Sequence, residues 1–327
     1  MSRLTFVDVC SGAGGLALGL EQAGLEPALL LDDDADACRT LLANRPHWNV
    51  LQADLLDLDP SEHPESYDVD LLSAGLPRVK SNATAARTES GEEEELLRAV
   101  VYLAHAVRPR ALIIENVPTL ARSERFHGFR DFARAELEHL GYEFSWFILN
   151  AADFGVPQDR RQGFLVAIKS RWFPSFRLPT PTAADHVSVG EALAPSMRSR
   201  GWKDADRWAA QATAVAPTLV GGSKNRGGAD LGPAGSKRKW ETLGVNAHSL
   251  GDEIPGPDFV WTPELGKEHM VRLTVDQAAL LQSFPKDWEI IGKKTARYRQ
   301  IGHASPPPVG RALGAAIATA LRSVHRP

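Results

Sequence analysis

The chain has 327 residues, 43% of them hydrophobic, and a formal net charge of −4, enough for a large α/β core with a smaller lobe and no global reason to expect nucleic acid. Its two cysteines, Cys10 and Cys38, are too few for a disulfide scaffold or a cysteine-rich metal site. No apolar run reaches the roughly 20 residues that span a bilayer, and the N-terminus lacks a signal peptide's apolar stretch, so no membrane partner and a cytoplasmic location are expected.

Phe6, Val7 and Val9 read as a short buried strand, Gly12, Gly14 and Gly15 as a tight turn, and the Leu16, Leu20, Ala23 spacing as the start of a helix. A turn poor in side chains lets backbone N–H groups and a helix N-terminus approach a ligand, the geometry of a nucleotide-like cofactor site. The spacing is not the full G-x-G-x-x-G fingerprint. Pro27 to Leu31 reads as a second strand ending in Asp32, Asp33 and Asp34. An acid there either holds a ribose hydroxyl, with Asp32 the expected one, or favours the next helix N-terminus. Ala35 to Asn44 reads as a helix, and Asn49 to Leu51 as a strand leading to Asp54. Asp54 either accepts from a cofactor base amine or caps the following turn.

Val69 to Ser73 reads as the next strand, breaking at Ala74-Gly75-Leu76-Pro77-Arg78, with a polar, mobile loop expected from Val79 to Gly91. A helix follows from Glu92 through Val107, with acids at its positive end. The apolar strand Ala111 to Ile114 ends in Glu115-Asn116-Val117-Pro118. Glu115 either stands where active-site residues of open sheets collect or caps the Thr119 region. Phe126 to Leu140 reads as a helix, Glu143 to Leu149 as a strand, and Gly163 to Ile168 as a return to the sheet. Between the last two, Asn150, Gln158 and Arg160 either hold carboxylates or a base edge, or tie a long loop to the rim.

Pro174, Pro179 and Pro181 mark a boundary. Beyond it, Arg198, Arg200, Lys203, Arg207, Lys224, Arg226, Lys237, Arg238 and Lys239 face only Asp204, Asp206 and Asp230, a basic stretch that favours a polyanion contact. Gly221-Gly222, Gly227-Gly228, Gly232 and Gly235 imply exposed loops there. Trp202, Trp208 and Trp240 either stack on bases or give the lobe a core. Thr274 is a candidate N-cap for a helix beginning near Leu273. The small residues from Val309 to Leu321 suit close helix packing, so the C-terminus is expected to return to the first lobe.

The order of these segments resembles the DNA cytosine-5 methyltransferase family over nearly the whole chain outside the basic insert. Asp8-Val9-Cys10-Ser11-Gly12-Ala13-Gly14-Gly15 is similar to that family's cofactor motif, Glu115-Asn116-Val117 to its glutamate motif, and Asn150 through Arg160 to its glutamine–arginine motif. Arg272-Leu273-Thr274 with Leu281-Gln282-Ser283-Phe284-Pro285, and Gly302 through Val309, resemble its last two motifs. The resemblance implies an S-adenosylmethionine-dependent, Rossmann-like α/β fold with a smaller target-recognition lobe. It divides the chain into a cofactor and catalytic-type domain (1–178), a basic target-recognition domain (179–271) and a returning segment (272–327). It further implies cofactor contacts by Cys10, Gly12, Gly14, Gly15, Asp32 at the ribose, Asp54 at the adenine, Pro77 and Ser305. Glu115 and Arg160 take catalytic-type positions, and double-stranded DNA is the expected partner.

Cytosine C5 becomes nucleophilic only after a group adds to C6. In this family a cysteine thiolate does so, while a carboxylic acid meets N3 and an arginine helps hold the ring. The family's proline–cysteine pair reads Pro77-Arg78 here, and arginine, always protonated and lacking an acceptor, is no nucleophile. Gln162 stands where a second arginine is expected, and His303 where asparagine is common. Three readings follow: an inactivated methylase, a different group transfer with Glu115 as acid or base, or a non-catalytic relative. In the leading, third reading the chain binds DNA beside a partner methyltransferase or restriction-system protein. Arg78, Lys80 and Arg87, with Lys224, Arg226, Lys237, Arg238 and Lys239, are then the expected DNA contacts.

Overall fold

A computed structural model describes residues 3–79, 90–222 and 229–323. In chain order its elements begin with β1 (Leu4–Val9), α1 (Gly15–Gln22), β2 (Leu25–Asp32), α2 (Ala35–Asn44), β3 (Val50–Gln52), β4 (Leu71–Gly75) and α3 (Ser90–Val107). There follow β5 (Ala111–Asn116), α4 (Pro118–Arg122), α5 (His127–His139), β6 (Tyr142–Asn150), β7 (Gln158–Asp159) and β8 (Arg161–Lys169). The remainder is α6 (Val189–Arg198), α7 (Ala205–Gln211), β9 (Ala216–Pro217), α8 (Ala234–Thr242), α9 (Val275–Leu281), α10 (Lys294–His303) and α11 (Pro307–Arg322). Two compact units form. The first comprises Met1–Leu149, Arg161–Thr180 and Val309–Pro327; the second comprises Asn150–Arg160 and Pro181–Pro308.

The first unit holds a seven-stranded sheet in the order β3-β2-β1-β4-β5-β8-β6. β1 to β5 pair in parallel, and β8 runs antiparallel to β5. The near-continuous apolar character of β1, β4 and β5 follows from burial on both faces, as parallel sheets require. The chain reverses its winding between β1 and β4, so the crevice at their carboxyl ends is where an open α/β sheet takes a ligand. Residues following β1, β2, β4 and β5 are all delivered to that edge.

The expected α/β architecture is present, and the helix over Ala35–Asn44 has the expected bounds. The mobile loop expected from Val79 to Gly91 falls mostly on residues outside those described; Val79 itself is buried. The returning segment is shorter than the residues from 272 onward. α9 and α10 belong to the second unit, and the return begins at Val309. There α11 lies so close to α1 that a Cβ on Gly310 would sit 2.9 Å from the Leu16 carbonyl oxygen.

In the second unit Trp202, Trp208 and Trp240 are all buried, so they form core rather than a base-stacking surface. Trp202 Nε1 donates to the Phe259 carbonyl, which satisfies its polar edge. Thr274 caps α9 through a reciprocal box with Gln277, whose amide also reaches Ser196 Oγ on α6 at 3.1 Å. That hydrogen bond ties α9 to the lobe. Gly221, expected in an exposed loop, is instead buried. A Cβ on Gly302 would lie 2.3 Å from the Gly221 nitrogen, so the two backbones cross where neither can carry a side chain.

Candidate functional site

The turn after β1 supplies the first half of the site. Cys10, Gly12 and Gly14 have φ of 54°, 54° and 80°, left-handed conformations that glycine adopts without strain and cysteine does not. Gly15 begins α1, and a Cβ on Gly12 would meet nothing within 4 Å, so the turn is open on that side. The Gly12 N–H donates to Asp32 Oδ2 at 2.7 Å, and the Asp34 N–H to Asp32 Oδ1 at 2.9 Å. Asp32 therefore fixes the glycine turn from the end of β2. Asp34 caps α2 by accepting from the Asp36 and Ala37 N–H groups, while Asp33 is exposed. Asp54 is exposed and caps the turn after β3 by accepting from the Leu56 N–H, which leaves its other oxygen available to a ligand.

Asp8, a charged residue within the apolar strand β1, has no role that its neighbours in the sequence announce. It is 1% exposed and accepts from Ser73 Oγ at 2.5 Å across the β1–β4 pair. Its Oδ2 has no hydrogen-bond partner among the described residues. Burial pushes the Asp8 carboxyl up to about 7, and burial likewise raises Asp32 to about 6. Burial also raises the Cys10 thiol, reinforced by the negative charges of Asp32, Asp8, Asp33 and Asp54. This corner is strongly anionic and disfavours a thiolate.

The second half lies at the carboxyl ends of β4 and β5, where Gly75 is in register with Glu115. Glu115 is 4% exposed, and Gln162 on β8 donates to its Oε1 at 2.8 Å. The carboxylate thus turns one oxygen toward β8. Next to it, Asn116 clamps the segment leaving β4. Its Nδ2 donates to the Pro77 carbonyl at 3.0 Å, and its Oδ1 accepts from the Val79 N–H at 3.1 Å. Pro77 is exposed, and Arg78, between the two clamped residues, is half-buried. Burial pushes the Arg78 guanidinium below its usual value while the Glu115 carboxylate pulls it back up. Asn116 and Gln162 emerge as the side chains that shape this end, and their signal in the sequence is polarity at the ends of apolar strands.

The second unit positions Gln158 and Arg160. Gln158 Oε1 accepts from the Leu219 N–H at 2.8 Å, and Arg160 Nη1 donates to the Leu219 carbonyl at 3.0 Å. Arg160 also donates to the Gly302 carbonyl at 3.1 Å, and Gln158 Nε2 to Gln282 Oε1 at 2.5 Å. Arg160 is fully buried. Its guanidinium serves the backbone of the second unit at Leu219 and Gly302. Asn150 accepts from the Ala152 and Arg160 N–H groups and so closes the turn before them. Ser305 is buried in the short segment that joins α10 to α11.

A family model described as C-5 cytosine-specific DNA methylase matches residues 4–319. The chain belongs to the C-5 cytosine-specific DNA methylase family. It is 41% identical over 327 residues to the type II methyltransferase M.NaeI of Lentzea aerocolonigenes, covering 98% of this chain and 76% of that one. With M.NgoMIV of Neisseria gonorrhoeae it shares 35% identity over 329 residues, covering 98% of this chain and 99% of the relative. Its fold matches two solved structures. One is a putative DNA modification methyltransferase encoded within an E. coli prophage (TM-score 0.68, 20% identity, 98% of this chain and 100% of that one). The other is S. pombe Dnmt2 (TM-score 0.66, 15% identity, 98% and 100%).

The cofactor of C-5 cytosine methylases is S-adenosyl-L-methionine, and the β1 turn fits it. An open glycine turn admits a bulky nucleoside, and the acids Asp8, Asp32, Asp33 and Asp54 suit a cationic sulfonium. Among the basic residues expected at DNA, Arg238 and Lys239 are exposed on α8, whereas Lys237 is half-buried and pairs with Asp230 at 2.8 Å. Lys80, Arg87, Lys224 and Arg226 lie outside the described residues. Among the described residues no helix is long and apolar enough to cross a membrane.

Proposed function

We propose that this methylase-family chain binds S-adenosyl-L-methionine and double-stranded DNA but does not transfer a methyl group by the cysteine route on its own. It acts as a DNA-binding or regulatory partner of an active methyltransferase or a restriction-system protein. One observation carries the reading: the residue between Pro77 and Val79, both of which Asn116 holds at the end of β5, is Arg78. A guanidinium has no lone pair to add to cytosine C6.

Neither cysteine replaces it. Cys10 sits in the anionic β1 turn, where the thiolate is disfavoured. Cys38 is buried within α2 with its Sγ directed at the Asp32 carbonyl, and burial raises it to about 11. Support for duplex DNA comes from the family description, from the two type II methyltransferase relatives, and from Arg238 and Lys239 on α8. Restriction–modification relatives also supply the class of partner.

The test incubates the purified chain with radiolabelled cofactor and unmodified duplex DNA, with cofactor and DNA binding measured in parallel. Both ligands are expected to bind while no label enters the DNA. Label in cytosine overturns the reading. Label elsewhere in DNA, with Glu115→Gln abolishing it, replaces it by non-cysteine transfer.

A further inference from the structure

We infer that Arg122 and Arg125, in the segment that follows Glu115 and Asn116, bind phosphates of the DNA backbone, so that the first unit holds a duplex at the carboxyl ends of its strands independently of the α8 cations. The inference deepens the proposed function and rests on its duplex-binding part alone.

The segment is built as a fixed platform. α4 starts two residues after β5 ends, and the chain there passes so close to β8 that a Cβ on Gly163 would lie 2.6 Å from the Val117 carbonyl oxygen. Leu120 and Phe126 are buried in the core of the unit. Where α4 ends, Arg130 of α5 donates from Nη1 to the Leu120 and Ser123 carbonyls at 3.1 and 2.7 Å, and Ser123 Oγ accepts from the Arg125 N–H at 3.3 Å. The five residues of α4, rising about 1.5 Å each, carry the chain only about 8 Å from its start. One strand of a duplex covers that distance in two or three nucleotides, at about 3.4 Å per phosphate. Phosphates flanking a base at Glu115 are therefore within reach of this segment.

Charge decides what the platform holds. Arg122 and Arg125 are exposed, and neither is in an ion pair among the described residues. Glu124, the one acid between Val117 and His127, pairs with neither. The Arg125 guanidinium lies over the Phe126 ring, 5.3 Å from its centroid, a contact that orders it without consuming its N–H donors. Cations at the opposite, amino ends of the same strands are neutralised by the chain itself: Arg3 pairs with Glu26, Arg108 with Asp68 at 3.0 Å, and Arg110 with Asp70 at 2.6 Å. Two permanently charged guanidiniums left unneutralised at the ligand end suit an anion brought from outside, and their planar forks match phosphate oxygens. Set on open surface three residues apart, they fit an extended polyanion.

The test measures binding of the full chain to a fluorescently labelled duplex at several salt concentrations. Arg122→Ala/Arg125→Ala is expected to lower the slope of log K against log salt by about 1 to 2, and by the same amount for duplexes of unrelated sequence, since phosphate contacts read no bases. Arg122→Lys/Arg125→Lys is expected to restore the slope, because it keeps the charges. Arg108→Ala, which removes a charge at the amino ends, is expected to leave the slope unchanged. The double alanine variant should keep the parental unfolding midpoint and affinity for S-adenosyl-L-methionine, which a structural role would not allow. An unchanged slope in that variant overturns the inference; if binding to polyglutamate is lost at the same time, the pair belongs to an acidic protein instead. A parent chain that binds no duplex even at low salt overturns the proposed function and this inference together, whereas duplex binding with an unchanged slope overturns this inference alone.

Discussion

Asp32 Oδ2 accepts the Gly12 N–H at 2.7 Å, so the acid expected at the cofactor ribose also fixes the glycine turn after β1. Asp32→Ala removes both functions. It should weaken S-adenosyl-L-methionine binding at least about tenfold, since hydrogen bonds to a charged acceptor are worth about 1.5–3 kcal/mol. Isothermal titration checks this, with Asp32→Asn as the comparison because it keeps an acceptor but not the charge. Equal affinity for all three proteins would remove Asp32 from the site.

The raised carboxyls make the chain pH-sensitive in a defined direction. Asp8 titrates at about 7 in the folded chain against an ordinary 3.8, so the folded state holds a proton that the unfolded state has released across that window. Stability contributed by Asp8 is therefore present at acid pH and declines as pH rises from about 4 to about 7, by an amount on the order of 4 kcal/mol at most. Asp8→Asn should flatten the decline, because Asn can still accept from Ser73. Cofactor binding should run the opposite way, strengthening from pH 5 to pH 8 as Asp32 and Asp8 ionise toward a cationic ligand. Unfolding midpoints and titrations across that range check both slopes.

Much of the fold was legible because its signals are local. The apolar run Ala111-Leu112-Ile113-Ile114 read as a strand and is one, while the acids at its end and at the end of β2 stayed open between a site role and a capping role. What was not legible depends on pairing across long separations. Nothing near Arg160 in the chain announces that its guanidinium serves the Leu219 and Gly302 carbonyls, 59 and 142 residues away. The tryptophans posed the same problem: composition left core and base-stacking roles open, and only burial separated them. Gly221 read as a surface glycine because the crossing backbone at Gly302 lies far along the sequence.

The Leu219 peptide is held at both ends, by Gln158 at its N–H and by Arg160 at its carbonyl. Arg160→Ala would leave buried carbonyls at Leu219 and Gly302 without this donor and open a cavity. Destabilisation of about 3 kcal/mol or more is expected. Arg160→Lys should recover only part of the loss, since Nη1 serves the Leu219 and Gly302 carbonyls while Nη2 reaches the His303 carbonyl at 3.5 Å, and a single ammonium lacks that second prong. Urea unfolding monitored by tryptophan fluorescence suits the measurement, because Trp208 and Trp240 are buried in the same unit. If Arg160→Ala kept parental stability and lost only function, the anchoring role would give way to a catalytic one.

Arg238 and Lys239 are the exposed cations of α8, while the adjacent Lys237 is engaged by Asp230. If α8 faces the phosphate backbone, neutralising the two exposed residues should weaken duplex binding in a way that depends on salt. Removing one cation that neutralises a phosphate reduces the slope of log K against log salt by about 1. The variant Arg238→Ala/Lys239→Ala is thus expected to lower the slope by up to about 2, with a smaller effect at high salt than at low. Lys237→Ala should act differently: it breaks an internal ion pair, so its effect on the slope should be well below about 1. Fluorescence anisotropy with a labelled duplex at several salt concentrations separates the cases. An unchanged slope in the double variant would place the DNA-facing charge elsewhere in the chain.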